Sequence, residues 1–388
     1  MLESLAKTFL DLEKTRFFRA RLTQHQARDI NLHGRSRILC IQMNAIGDAI
    51  MTQPAWAALK DSDPERCIDL LCRSHIAPLF KQDPSIKDIL TFNPRKFRSW
   101  LFEGGKQLSD IVAGGRYDAI IDFTALPLTA GLCGQKNAPP SVGFRRPMRF
   151  RDKTIDIGWA YDLAFSYSEE EPLRKLMVDL AAPFTKGNGR PKRPSLWIAD
   201  HVEDSAKERL SMAGIAGSRF VVIHPGAKWP PKHWPVTHWR TLIHFITKEL
   251  PIPILVLGGP GDDALVRAIA EGTISRAVKT LISTEIDATA AIIKQAVLCI
   301  GNDSGPMHIA AAVGTRSLAL FGPVLPIRSA PPSDEGCTVL YHPMFCSPCE
   351  LYYSRNRCRR GLNFCMHALE PEVVLGEVVR IIRTEANA

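Results

Sequence analysis

A chain of 388 residues is too long for a small disulfide-stapled module and, at roughly 150 residues per domain, predicts two or three domains. Its 45% hydrophobic and 23% charged residues exclude wholesale disorder and a polytopic membrane protein. The excess of 49 Lys and Arg over 40 Asp and Glu, a net charge of +9, favours an anionic partner: nucleic acid, a phosphorylated small molecule or a membrane surface.

The opening Met1-Leu2-Glu3-Ser4-Leu5 lacks the basic and apolar regions of a secretory signal, and no apolar run approaches about 18 residues, which predicts a cytoplasmic protein. Residues 1–36 read as a basic amphipathic extension. Leu2, Leu5, Phe9, Leu10, Leu12, Phe17, Phe18 and Leu22 alternate with Lys7, Lys14, Arg16, Arg19 and Arg21, suiting either an anionic membrane or the protein's own surface. From Arg37, short apolar runs alternate with helical stretches, the pattern of an α/β fold with largely parallel sheets. Strands are expected at 38–41, 68–72 and 119–123, with helices at 49–60, 101–112 and 169–182. The run 185–194, rich in Gly, Pro and basic residues, reads as a linker. Beyond it, strands are expected at 220–223, 254–257, 297–300 and 317–321. The layout is therefore a first domain over 37–190 and a second over 195–388.

Four segments follow predicted strands, where open α/β sheets bind ligands. In Asn44-Ala45-Ile46-Gly47-Asp48, Asp48 either projects toward a ligand or caps the following helix. His224 to Pro235 holds Lys228, Lys232, Trp229, Trp234 and four prolines, a stiff cationic loop suited to phosphate with Lys232 as a point charge, or else a turn whose tryptophans plug a surface. Gly258-Gly259-Pro260-Gly261-Asp262-Asp263 offers a carboxylate for ribose hydroxyls or for capping the next helix. In Gly301-Asn302-Asp303-Ser304-Gly305-Pro306-Met307-His308, Ser304 is placed to cap a helix whose amides near Gly305, Met307 and His308 suit a diphosphate.

These segments, with Phe321-Gly322-Pro323 after them, stand in an order that resembles glycosyltransferase family 9, the ADP-heptose:lipopolysaccharide heptosyltransferases. The resemblance runs from about Arg37 to the C-terminal helix. It implies a GT-B architecture, two Rossmann-like domains with mainly parallel sheets facing a central cleft, with the acceptor on the first domain and the nucleotide sugar on the second. It also implies Asp48 as catalytic base, Lys232 at the phosphates, Asp303, Gly305 and His308 in the donor turn, and Asp262, with Asp263 beside it, at the ribose. The common form of the first turn has Ser-Ser where this chain has Asn44-Ala45.

Arg95, Lys96, Arg98, Arg145 and Arg146 suit a phosphorylated lipid-sugar acceptor or form a solvated basic face. The Asp61-Ser62-Asp63 pair reads as a surface turn, so no catalytic cofactor or divalent cation is expected. Cys346, Cys349, Cys358 and Cys365 are spaced for a structural Zn or Fe site or are free thiols. The expected function is inverting transfer of heptose from ADP-heptose to a lipopolysaccharide core at the cytosolic membrane face. A protein acceptor or another nucleotide sugar is the alternative. A basic nucleic-acid-binding protein has the least support, since no nucleic-acid motif is present, and no nucleic-acid partner is expected.

Overall fold

The computed structural model describes residues 34–92, 105–135, 138–145, 147–150, 153–168, 170–185, 192–215, 217, 219–271, 273, 275–349, 358 and 360–386. They divide into two compact units. The first takes the described residues of Met1–Asn44, Met51–Ala77 and Asp83–Lys192, the second those of Ala45–Ile50, Pro78–Gln82 and Arg193–Ala388.

The first unit is built on a parallel sheet. Strand β1 (Arg37–Gln42) leads through helix α1 (Ile46–Ser62), whose residues up to Ile50 are counted with the second unit, to β2 (Cys67–Cys72) and β3 (Asp88–Thr91). Helix α2 (Gly105–Gly115), β4 (Ala119–Asp122), α3 (Pro127–Cys133) and β5 (Ser141–Arg145) follow. An antiparallel hairpin of β6 (Pro147–Phe150) and β7 (Lys153–Asp156) precedes β8 (Leu163–Ser166) and α4 (Leu173–Ala181). The sheet order is β3-β2-β1-β4-β5-β8, all parallel. Ile38, Leu39, Cys40 and Ile41 of β1 are wholly buried, as a central strand covered on both faces requires. Chain direction across the sheet reverses between β1 and β4, so the residues after Gln42 and after Asp122 flank a switch point.

The second unit repeats this order with different residues. After α5 (Asp200–Met212) come β9 (Val221–His224), α6 (Val236–Glu249), β10 (Ile254–Gly258), α7 (Asp263–Glu271), β11 (Val278–Ile282) and α8 (Ile286–Lys294). Then follow β12 (Leu298–Asn302), α9 (Gly305–Val313), β13 (Ser317–Phe321), α10 (Pro326–Ser329), β14 (Cys337–Tyr341), α11 (Phe364–His367) and α12 (Pro371–Ala386). The sheet runs β11-β10-β9-β12-β13-β14, again parallel, with its switch point between β9 and β12. Its core joins Ile223, Ile300 and Leu320 of the sheet to Trp234, Trp239 and the Val374 and Val378 face of α12. The two indoles meet edge to face at 4.7 Å, the geometry that sets a positive ring edge on a negative face.

The α/β class expected from the sequence is the class observed. The helix expected at 169–182 begins instead at Leu173, because Pro172 takes the N-cap position, and residue 169 lies outside the described residues. The helix expected at 101–112 is described from Gly105 to Gly115. Strands β3, β5, β8, β11 and β14 were not anticipated. In β5, Gly143 is obligatory: a Cβ there would come within 2.4 Å of the Tyr161 ring. Among the described residues no helix is long and apolar enough to cross a membrane. The expected extension 1–36 lies outside them up to residue 33, as does most of the proposed linker.

Candidate active site

Strand β1 ends in a loop held by its neighbours in the first unit. Met43 N donates to Thr124 Oγ1 (2.8 Å), and the Asn44 side chain donates to Thr124 O (3.3 Å). Asn44 N in turn reaches Gln42 Oε1 (3.1 Å). The switch point thus brings the end of β4 against the first motif, and Asn44 makes a backbone contact where a hydroxyl stands in the commoner sequence. Asp48 is half-buried in the first turn of α1, where its Oδ2 accepts from Ala45 N at 3.0 Å. The capping alternative is therefore realised from the third helical position, the reach-back half of a capping box, beside the positive end of the helix.

In the second unit, β9 and β12 are adjacent parallel strands, so the loops leaving their carboxyl ends meet. Lys232 Nζ lies 2.7 Å from Asp303 Oδ2, with the two side chains only 12% and 5% exposed. His308, in the first turn of α9, is also buried. Burial lowers its pKa to about 4, the nearby Lys232 charge pushing the same way and Asp303 opposing both. A cation, an anion and a neutral imidazole thus lie near one another and largely out of water, where each charge interacts more strongly than in solvent.

Ser304 occupies the N-cap position of α9, but its side chain makes no capping bond. Its buried Oγ has no hydrogen-bond partner, contrary to the capping role expected for it. Pro306 takes the first turn, where its missing N–H costs nothing. The Met307 side chain is wholly buried beneath Gly301, where a Cβ would meet Met307 Cε at 2.8 Å, and Met307 N donates to Ser304 O at 3.1 Å.

The two acidic candidates after β10 part company. Asp262 accepts from Gly259 N (2.9 Å), closing the glycine turn rather than capping α7. Its carboxylate also lies where a Cβ on Gly226 would be, 2.3 Å from Oδ2. Burial pushes the neighbouring His224 imidazole down, with the Asp262 charge pulling against it. Asp263 is exposed on α7.

Two asparagines without an expected role hold the lysine loop. Asn302, wholly buried at the end of β12, accepts from Trp234 N (3.1 Å) and donates to Pro225 O (2.6 Å). Asn363 Nδ2 donates to Pro231 O (3.0 Å) and His233 O (2.8 Å). His233 Nε2 closes the loop on Ala227 O at 2.6 Å, and Trp234 Nε1 anchors it to Leu369 O at 2.8 Å. For Asn302 a signal existed, a lone amide ending an apolar strand; for Asn363 there was none.

Of the basic acceptor candidates, Arg145 is exposed at the end of β5 and pairs with Asp156 at 3.2 Å. Arg95, Lys96, Arg98 and Arg146 lie outside the described residues. Of the four clustered cysteines, Cys365 is the one buried. Burial and the charges of Cys349, Cys346 and Cys358 push the Cys365 thiol up to about 11. Their soft donor set suits Zn or Fe, yet among the described residues no three His, Cys, Asp or Glu side chains are arranged to hold a metal ion. The donor chemistry fits a metal and the present arrangement of the donors does not.

Residues 107–359 match the model for glycosyltransferase family 9 (heptosyltransferase). Lipopolysaccharide heptosyltransferase 3 of Escherichia coli is 27% identical over 71% of this chain and 80% of its own length. The structure of E. coli ADP-heptose lps heptosyltransferase II superposes with a TM-score of 0.72 at 20% identity, over 90% of this chain and 99% of that one. The dodecameric iron-containing heptosyltransferase TibC in complex with ADP-D-beta-D-heptose gives a TM-score of 0.55 at 13% identity, over 92% and 78%. TibC comes from enterotoxigenic E. coli H10407. These likenesses give the chain the GT-B fold.

Proposed function

Because the chain belongs to glycosyltransferase family 9, the heptosyltransferases, we propose that it transfers heptose from ADP-heptose to a lipopolysaccharide core acceptor, with inversion, at the cytosolic face of the membrane. That it is a glycosyltransferase follows from the family. The donor, acceptor, stereochemistry and location are our reading, carried by one observation: the buried Lys232–Asp303 pair beside the start of α9 at the second switch point.

The second unit holds the nucleotide sugar in this reading. Lys232 and the start of α9 at Gly305 face the diphosphate, and the unpartnered Ser304 Oγ supplies one more donor. Asp303 exchanges its contact with Lys232 for sugar hydroxyls. Asp262 takes the ribose in preference to the exposed Asp263. Asp48 removes the proton from an acceptor hydroxyl as that oxygen bonds to the anomeric carbon, and the bond from that carbon to the diphosphate oxygen breaks, releasing ADP. The first unit, with Arg95, Lys96, Arg98, Arg145 and Arg146, receives the phosphorylated acceptor, and the 1–36 extension lies on anionic lipid.

None of these steps uses a cofactor. Cys346, Cys349, Cys358 and Cys365 are proposed as a structural Zn or Fe site on the strength of their donor chemistry, and purified protein without stoichiometric metal would discard it. The functional test is binding and turnover across a panel of nucleotide sugars, then across lipid-core and protein acceptors. ADP binding no tighter than UDP would overturn the donor assignment, and turnover only on protein would overturn the acceptor.

A further inference from the structure

The Asn363 amide occupies the N-cap position of α11, where an asparagine side chain ordinarily closes its own helix. Here it makes no capping bond, and that work falls to the Asn363 carbonyl, which accepts from Met366 N (2.9 Å) and His367 N (3.2 Å). Both hydrogens of the side-chain amide are spent instead on Pro231 O and His233 O, the carbonyls on either side of Lys232, 130 residues away in sequence. Because both partners can only accept, the amide has one orientation that satisfies them.

The platform that carries Asn363 is fixed. Cys365 and Met366 press on Gly322 so closely that a Cβ there would lie 2.9 Å from Cys365 Sγ and 2.5 Å from Met366 Sδ. Ser347 Oγ donates to Gly322 O (2.7 Å), and Cys349 N to Pro323 O (3.0 Å). The cysteine segment is thereby stitched to the end of β13. Asn302 grips the two ends of the lysine loop from β12, and Asn363 grips its middle from the cysteine segment.

We propose that Asn363 is a positioning residue for the donor: by holding the carbonyls of the residues before and after Lys232 it sets the ammonium where the leaving diphosphate must find it, and so couples the cysteine segment to nucleotide affinity. This rests on Lys232 being the phosphate contact. Without Asn363 the turn from Pro230 to Lys232 keeps its local bonds, but the lysine backbone is free to tilt, and binding must then supply the ordering.

The test is a double-mutant cycle on the full chain, read as ADP affinity by calorimetry and as donor KM and kcat. Asn363→Ala is expected to weaken ADP and raise donor KM about tenfold, with kcat within about twofold and acceptor KM unchanged. Asn363→Ser, which keeps one donor, falls between, and it serves if the alanine variant does not fold. Lys232→Gln removes the charge but keeps a donor for Asp303, and in that background the Asn363 effect disappears. Equal losses in both backgrounds, or unchanged ADP affinity in the Asn363 variants while Lys232→Gln alone weakens it, would overturn the positioning role and leave the phosphate reading standing. Unchanged affinity in Lys232→Gln would remove the phosphate reading itself, and the coupling with it.

Discussion

At the scale of single residues, the candidate site is a set of polar side chains placed in little water, and its behaviour follows from that. His308 is neutral in the folded protein down to about pH 4, whereas in the unfolded chain it takes a proton near pH 6.5. The unfolded state therefore gains a proton first as pH falls. The contribution of this residue to stability is complete above pH 6.5 and is lost between there and about pH 4, to a total of about 3 kcal/mol. Denaturant titrations at pH 7 and pH 4.5 should show that loss in the native chain and less of it in His308→Gln. Asp48 makes a different prediction, because the role proposed for its carboxylate is in turnover and not in donor binding. Asp48→Asn keeps an oxygen for Ala45 N, so folding and ADP affinity should persist while kcat falls about 100- to 10,000-fold. Near-normal turnover in that variant would assign the base elsewhere.

Elements explain which parts of this were legible beforehand. Central strands such as β1 and β12, buried on both faces, read as unbroken apolar runs, and the loops after them could be named from the sequence. Edge strands could not. The sequences Asp88-Ile89-Leu90-Thr91 and Val278-Lys279-Thr280-Leu281-Ile282 mix polar and apolar residues because one side of each faces no neighbouring strand. Lys232, Asp303 and His308 were found as candidates because each follows a strand closely. Asn363 was not, because its meaning lies in two carbonyls brought to it only by the fold. Strand-to-strand spacing carries its own prediction. At Gly301 a Cβ would sit 2.8 Å from His224 O on β9, an atom that cannot swing aside. Gly301→Ala should part β9 from β12, costing about 1–3 kcal/mol in chemical denaturation and weakening ADP because both loops proposed to hold the donor spring from that pair.

On the scale of the whole molecule, the two sheets share one strand order but carry different chemistry beyond their switch points: a carboxylate after β1, and a lysine, an aspartate and a histidine after β9 and β12. Ligand binding should report this asymmetry. ADP at a hundredfold excess over its Kd adds about 2.7 kcal/mol to the unit that holds it. Hydrogen exchange should show the new protection at residues 224–235 and 302–308, with the amides of β2 and β4 unchanged; protection confined to the first unit would reverse the assignment of roles.

The contact between Trp234 and Leu369 also has a consequence for biosynthesis. The lysine loop rests on a tryptophan whose indole is tied to residue 369 and whose core neighbours include Val374 and Val378 of α12. A ribosome that has reached residue 341 has already made every strand of both sheets, and the first unit is free to fold as synthesis proceeds. The support of the lysine loop is not complete by then: the core around Trp234 is finished only by α12. A chain lacking α12 should therefore keep its strands but hold the lysine loop loosely, and bind ADP more weakly than the full chain.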